Sequence, residues 1–269
     1  MRKRARRAIA GCLPALLAWP GCAGRTVRDD RPIRPPAETA AVQQLGQDAE
    51  DAIQRHDYPG AHAALDRLST LAPESTEAQH RLGLVLKAEG KLEAAATAFR
   101  RALALEPDYV DAMVGLGEVE ALLGRPADGL KRIDSAIEID PALAGAHLAQ
   151  GQILKQLGRP EEALAAYFRV LERDPDSAPA MLRVATLQLE HDQPEQALAR
   201  IGHVLELTPE DPEARHQRGL AYLALGRPSQ AADDLRFAAK HLPGQPEIIG
   251  QLARANEKAH AATAEIKRP

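Results

Sequence analysis

The chain has 269 residues and a formal net charge of −4, and only 3% of its residues are aromatic. Nucleic-acid binding needs a basic stripe and aromatic stacking platforms, so this composition argues against nucleic acid as a partner. Both cysteines, Cys12 and Cys22, lie in the first 22 residues. The rest of the chain therefore cannot form a disulfide or a thiolate metal site.

The N-terminus has the pattern of an export signal. Five of the first seven residues are basic, and the twelve residues from Ala8 to Trp19 carry no charge. This uncharged stretch contains Pro14 and is shorter than the roughly 20 residues that a membrane-spanning helix needs. The pattern predicts a signal peptide over residues 1–21.

Cys22 lies where this signal would end, and its surroundings resemble the cleavage site of a bacterial lipoprotein. Gly21 is the small residue that precedes the lipid-carrying cysteine in that class, whereas Trp19 departs from the usual aliphatic residue. The resemblance implies a lipid on Cys22 and a membrane anchor through it. Two alternatives stay open, namely ordinary cleavage after Ala23 and a retained signal anchor.

Residues 22–41 are predicted to be a linker. The segment is polar, lacks periodicity and contains three prolines and four arginines. As a coil it would span about 25 Å, enough to hold a domain away from a bilayer. Asp29, Asp30 and Glu38 offset its arginines, so a solvated linker explains the segment better than contact with anionic lipid.

The following two hundred residues form a repeat array, because six prolines recur at a spacing of 34 residues without an insertion. With Thr76 as position one of the copy 76–109, positions eight and twenty hold only glycine or alanine. Position fifteen predicts a left-handed residue that ends a first helix, with His56 and Asp192 replacing glycine in two copies. The prolines are Pro73, Pro107, Pro141, Pro175, Pro209 and Pro243.

A second helix follows in each copy, and in three copies it opens with Arg-Pro. Its apolar residues lie on one helical face at spacings i, i+1, i+4, i+7 and i+8. Such a stripe is too wide for one partner helix to cover, so each unit must stack on the next. The pattern predicts an all-α solenoid.

These residues resemble the tetratricopeptide repeat family. One copy carries that family's pattern in Leu82, Gly83, Ala95, Phe99, Ala102 and Pro107. The resemblance implies a right-handed α-solenoid of six helix pairs over residues 42–75, 76–109, 110–143, 144–177, 178–211 and 212–245, followed by a capping helix over 246–265. The large positions depart from the family, since Met113, Met181, Ile133, Ile201 and Leu235 replace aromatic residues; we interpret this as a repacked core.

Family geometry implies that positions two, five, nine, twelve and thirteen of each first helix face a concave groove. The residues there are mostly apolar, which suits an amphipathic helix or an extended apolar segment of a partner protein. Alternatively, several of these leucines tuck under the neighbouring helix. The predicted groove residues are Val114, Glu118, Leu122, Leu148, Gln152, Lys155, Leu182, Thr186, Leu189, His216, Leu220 and Leu223.

No motif supports catalysis, a cofactor or a metal ion. Gly90-Lys91 suggests a phosphate loop, but Leu92 stands where serine or threonine would hold magnesium. His80 and His216 share position five but are four repeats apart, so they cannot bind one metal ion. The sequence predicts a non-enzymatic protein.

The function hypothesis is a lipid-anchored scaffold of a bacterial cell envelope, on the periplasmic face of the outer membrane. Its layout is similar to that of pilotins of type IV pilus assembly and of repeat lipoproteins that support cell-wall hydrolases or polysaccharide export. The alternatives are a soluble periplasmic or secreted carrier of apolar segments and a regulatory subunit of an enzyme encoded elsewhere. The sequence gives no indication of a homo-oligomer.

Overall fold

A computed structural model describes the backbone of residues 36–266 and the side chains of residues 40–261. This part of the chain contains thirteen α-helices and no strand, which confirms the predicted all-α solenoid. The predicted export signal and Cys22 lie outside the described residues. The helices are α1 (Pro36–Gln54), α2 (Tyr58–Leu71), α3 (Thr76–Ala88), α4 (Leu92–Leu105), α5 (Val110–Leu122), α6 (Pro126–Ile139), α7 (Ala144–Gln156), α8 (Pro160–Arg173), α9 (Ala178–Glu190), α10 (Pro194–Leu207), α11 (Pro212–Ala224), α12 (Pro228–His241) and α13 (Pro246–Ile266).

The helices alternate as first and second members of a pair, and each packs on the helix before it and the helix after it. First helices also touch first helices, as α3 with α5, α5 with α7, α9 with α11 and α11 with α13. No two second helices in the described range pack as closely. The array therefore curves with its first helices on the inner, concave side.

The periodic prolines occupy one position in one kind of turn. Between α4 and α5, the amide of Tyr109 donates to the carbonyl of Glu106 at 3.1 Å, and Pro107 is the second residue of this turn. Proline is favoured there because its fixed φ suits the turn. The same bond, between 3.0 and 3.3 Å, closes the other five turns, at Ala72–Ser75, Asp140–Leu143, Asp174–Ser177, Thr208–Asp211 and Leu242–Gln245.

The left-handed residues predicted at position fifteen are confirmed in all six repeats. The four glycines have φ between 68° and 80°, and His56 and Asp192 both have φ of 57°. Glycine adopts this conformation without steric cost, whereas a Cβ crowds the following carbonyl oxygen. The two irregular repeats therefore hold a strained residue at the end of their first helix.

The small residues at positions eight and twenty allow the two helices of a repeat to approach closely. A Cβ added to Gly83 would lie 2.6 Å from the ring of Phe99, and one added to Gly151 would lie 2.5 Å from the ring of Tyr167. In the third repeat two glycines face each other, so a Cβ on Gly129 would overlap the carbonyl oxygen of Gly117.

The substituted large positions fill the same space as the family's aromatic rings. Ile133, Ile201 and Leu235 have no exposed surface. The isoleucine side chain at 133 lies against the α-carbon of Gly117, where a Cβ would be 2.8 Å away. In the third repeat the smaller side chain thus accompanies a direct contact between the backbones of the paired helices.

Both ends of the array differ from an ordinary repeat. Helix α1 begins at Pro36, inside the segment 22–41 that the sequence analysis assigned to a linker, and is 19 residues long where the other first helices have 13. Proline is tolerated at a helix start because its missing N–H has no partner there. At the other end, α13 covers α12 with Ile248 and Ala255, both fully buried.

We predict that Gly129→Ala destabilises the protein by about 1–3 kcal/mol, because the added methyl group must separate two backbones that are already in contact. Gly145→Ala is the matched control, since Gly145 is also helical but has nothing within 4 Å of an added Cβ. Urea unfolding followed by circular dichroism measures both. If the two variants unfolded alike, the contact of Gly117 with Gly129 would not matter to stability.

We also predict that His56→Gly stabilises the protein by about 0.5–1 kcal/mol, because glycine removes the strain of a left-handed residue at a modest entropic cost. The gain at Asp192→Gly should be smaller, since aspartate tolerates this conformation better. Gly124→Ala, the converse change, should lower stability. Thermal unfolding of the three variants tests the series, and a lower melting temperature for His56→Gly would contradict it.

Candidate functional site: the concave face

The concave face is lined by first helices, and the predicted groove residues divide there into three groups by exposure. Leu122, 60% exposed, and Gln152 project into solvent. Leu182 and His216 are buried. The remaining eight are half-buried, namely Val114, Glu118, Leu148, Lys155, Thr186, Leu189, Leu220 and Leu223.

The two buried residues are removed from the candidate contact surface. Leu182 is 6% exposed because it belongs to the core cluster that includes Ile201 and Leu205. His216 is 9% exposed because its Nε2 lies 2.7 Å from the side-chain oxygen of Gln251 on the capping helix. Both therefore hold the array together. The alternative interpretation, that several of the leucines tuck under the neighbouring helix, describes Leu182 but did not include His216.

The half-buried apolar residues form the floor of the groove. Val114 and Leu148 pack on one side against the core cluster of repeats three to five and are partly exposed on the other. Leu189 does the same against the next core cluster. These residues and the exposed Leu122 leave an apolar strip along the middle of the concave face.

Ion pairs between neighbouring first helices neutralise the charged groove residues. Lys87 Nζ lies 2.5 Å from Glu118 across α3 and α5, and Lys155 Nζ lies 2.6 Å from Glu190 across α7 and α9. Pairs this exposed contribute about 0–1 kcal/mol each to stability. These pairs have a larger effect on the chemistry of the groove, because Glu118 and Lys155 have no unpaired charge for a partner protein to contact.

The polar uncharged groove residues are partly engaged by the protein itself. The hydroxyl of Thr186 donates to the carbonyl of Leu182 at 2.9 Å within its own helix. The Gln156 amide donates to the carbonyl of Ala121, at 3.4 Å, in the preceding repeat. Gln152 has no such bond among the described residues and is exposed, so its amide is free to form hydrogen bonds with a partner protein.

The wall of the groove at repeats two and three contains a network that the sequence analysis did not foresee. The Tyr109 hydroxyl donates to Glu77 at 2.6 Å, and Arg81 donates to the same carboxylate at 2.5 Å. Burial would raise the pKa of Glu77, but these two bonds outweigh it and hold that pKa below its ordinary value. Glu77 is therefore a fixed anion that joins the two repeats.

His80 lies beside this network, edge-on to the Tyr109 ring at 5.3 Å. Burial lowers the pKa of His80, against the opposing effect of Glu77 and Asp111. Its Nδ1 has no hydrogen-bond partner among the described residues. Near neutral pH the ring is uncharged and acts as part of the core between repeats.

Two further buried pairs were missed because a repeat pattern does not assign partners to charged residues. Arg132 donates to both carboxylate oxygens of Glu120, at 3.0 and 3.2 Å, and Arg218 donates to both of Asp234, at 2.6 and 2.7 Å. A bidentate pair fixes the angle between the helices it joins. For each pair, the only signal in the sequence was a carboxylate at a position that the repeat pattern assigns to the core.

Within the described residues, no three histidine, cysteine or carboxylate side chains cluster as metal ligands would. No helix in that range is long and apolar enough to cross a membrane. The described groove has an apolar floor, and its charged residues are already paired with each other.

Comparison with known proteins gives the family. Models of the tetratricopeptide repeat match residues 48–96, 80–144 and 123–178, and a second model of the same description matches residues 154–218. Together they cover more than half of the chain. No curated protein sequence matches at a significant level.

Several solved structures share the fold. PilW, described as a widely conserved type IV pilus biogenesis factor, has a TM-score of 0.65 at 20% identity, over 81% of this chain and 100% of its own. Pseudomonas aeruginosa pilF has a TM-score of 0.61 at 17% identity, over 81% and 99%. TTC0263 of Thermus thermophilus, described as a thermophilic TPR protein, has 0.60 at 23%, over 67% and 98%. At these identities the likeness establishes the fold alone.

Proposed function

This chain belongs to the tetratricopeptide repeat family, and from that premise we propose that it is a non-catalytic scaffold that holds an apolar segment of a partner protein in its concave face. The observation that carries this proposal is the apolar strip of Val114, Leu122, Leu148 and Leu189, whose charged neighbours are paired with each other. An amphipathic helix or an extended apolar segment fits such a surface.

The strip has the features of a contact surface rather than of ordinary core. Leu122 is 60% exposed, so most of its side chain is available to a partner. Val114 and Leu148 are held by the core beneath them, so binding would order few side chains. Burial of one leucine-sized surface stabilises a complex by about 1.5–3 kcal/mol.

We further propose that the scaffold is anchored at a bacterial cell envelope by a lipid on Cys22 and serves an assembly, pilus or export machine. Three observations support this: the basic and apolar leader, the small residue before Cys22, and the likeness in fold to PilW. The residue after the cysteine is Ala23 rather than an aspartate that would favour inner-membrane retention, which supports the periplasmic face of the outer membrane.

We predict that Leu122→Glu weakens partner capture at least about tenfold, because a carboxylate in the strip must be desolvated on binding. The mature protein is used to capture partners from detergent-solubilised membranes of the source cells. Leu122 is chosen instead of Leu182, whose burial would turn the same substitution into a folding defect.

Ile249→Glu is the matched control for this experiment. Ile249 is 62% exposed and lies on the capping helix, away from the strip. A partner lost by Leu122→Glu and kept by Ile249→Glu would establish the groove as the working surface. A partner kept equally by both would overturn the groove assignment.

The soluble carrier and the regulatory subunit remain as alternatives, and the lipid separates the carrier from the scaffold. We predict that Cys22→Ala moves the protein from the membrane fraction to the soluble fraction and abolishes its cellular activity, because the proposed lipid would no longer hold the protein at the membrane. Immunoblots of fractionated cells measure the first effect. An active, soluble Cys22→Ala protein would favour the carrier instead.

A further inference from the structure

One edge of the solenoid concentrates negative charge. We define the acidic edge as the six turns that link one repeat to the next, each from the last residue of a second helix to the second residue of the following first helix. They contain twelve carboxylates and one arginine, Arg173, whereas acidic and basic residues nearly balance in the rest of residues 42–266. Basic side chains from outside the turns lie within ion-pairing distance of three of these carboxylates, namely Arg81 beside Glu77, His203 beside Asp176 and Arg183 beside Glu213. The carboxylates are Glu74, Glu77, Glu106, Asp108, Asp111, Asp140, Asp174, Asp176, Glu210, Asp211, Glu213 and Glu247.

The same edge carries exposed apolar side chains. The last residue of the second helix is Leu71, Leu105, Ile139 or Leu207 in four repeats, and these side chains are 36–48% exposed. They lie beside the carboxylates in four of the six linking turns. The acidic edge therefore suits a ligand that is basic and also has apolar side chains.

The turn 105–111 has the most available charge. Asp108 and Asp111 are exposed and form no ion pair within the described residues. Glu106 accepts a hydrogen bond from the Thr76 hydroxyl at 2.9 Å, which leaves its second oxygen for another donor. Leu105, 40% exposed, lies beside them.

The chain itself brings a basic segment to this edge. All first helices run in the same direction, so the N-terminus of α1 lies on the side of the array where the linking turns are. The segment that enters it, residues 25–34, has four arginines at intervals of three residues, two aspartates, and the apolar Val27 and Ile33. We propose that residues 25–34 dock along the acidic edge of the first four repeats.

The spacing of the arginines in residues 25–34 agrees with the spacing of the linking turns along the acidic edge. In a polyproline II chain, which Pro32 and Pro35 favour, residues three apart are separated by about 9 Å. Successive helix layers, and hence successive turns, are separated by about 8–10 Å. Arg31, Arg28 and Arg25 would therefore meet the turns 71–77, 105–111 and 139–145 in order.

The length of the segment permits this placement. Helix α1 begins six residues before position one of its repeat, where α3 and α5 begin in theirs. It therefore extends about 9 Å beyond the other first helices. The turn 105–111 lies two layers away, about 20 Å to the side. The chain from Arg28 to Pro36 can span about 25 Å or more. The link also gives the segment a local concentration on the order of millimolar, so weak ion pairs suffice.

A docked segment would orient the solenoid relative to its N-terminus. If Cys22 carries the lipid, the acidic edge of the first repeats would lie closest to the point of attachment, and the concave face would open sideways. This consequence rests on the proposed anchoring. The docking itself depends neither on the lipid nor on the groove, so its failure would leave the proposed function untouched.

The experiment uses residues 22–269 made without the leader, which contain the whole described solenoid. Cys22 is then the only cysteine, so a nitroxide can be attached there without any other change. At about 0.05 M salt we expect the nitroxide to broaden the amide resonances of the turns 105–111 and 139–145. At about 1 M salt, where charges are screened beyond about 3 Å, the broadening should disappear.

Two sets of variants remove one partner each. Arg25→Ser with Arg28→Ser and Arg31→Ser, and separately Asp108→Asn with Asp111→Asn, should both abolish the broadening. Asp128→Asn with Glu195→Gln is the matched control. Both of these carboxylates are exposed in the first turn of a second helix, on the opposite edge. This control should leave the broadening unchanged.

Broadening that is absent from these turns, or equal in all variants, would overturn the proposal. An experiment with lipid vesicles could also overturn the proposal. If the labelled chain bound vesicles of phosphatidylglycerol but not of phosphatidylcholine, and showed no broadening at the edge without them, the arginines would belong to the membrane surface.

Discussion

The structure depends on the close approach of the two helices within each repeat. Position eight of the first helix holds glycine or alanine, and a large side chain of the second helix packs against it. Phe99 packs against Gly83 in this way, and Tyr167 packs against Gly151. Because this contact is repeated in each pair, the helix pairs have similar shapes and present similar surfaces to their neighbours. The curvature and the concave face follow from stacking these similar units.

The third repeat shows how far this contact can be adjusted. Gly117 and Gly129 bring two backbones together, and Ile133 replaces the aromatic side chain that would need more room. In this repeat the loss of aromatic volume accompanies a direct contact between the two backbones, which keeps the core filled. Low aromatic content and an intact solenoid are compatible for this reason.

Charge is distributed according to the same repeat. On the concave face, Lys87 with Glu118 and Lys155 with Glu190 pair across neighbouring first helices, and the middle of the groove is left apolar. On the edge that carries the linking turns, carboxylates recur without enough basic residues to balance them. One solenoid therefore has two unlike surfaces, an apolar groove and an acidic edge.

The sequence by itself determined the period, the helix pairs, the proline turns and the left-handed residues, down to His56 and Asp192, because these features depend on local backbone geometry that one residue type at one position dictates. Only the tertiary structure decided which groove side chains reach solvent. Leu122 and Leu182 belong to the same set of predicted groove positions and to the same residue type, yet one is 60% exposed and the other 6%. It also decided the partners of charged residues, such as Glu120 with Arg132 and Asp234 with Arg218. Burial and pairing depend on the angle and distance between packed helices, and the pattern within a single helix does not encode those.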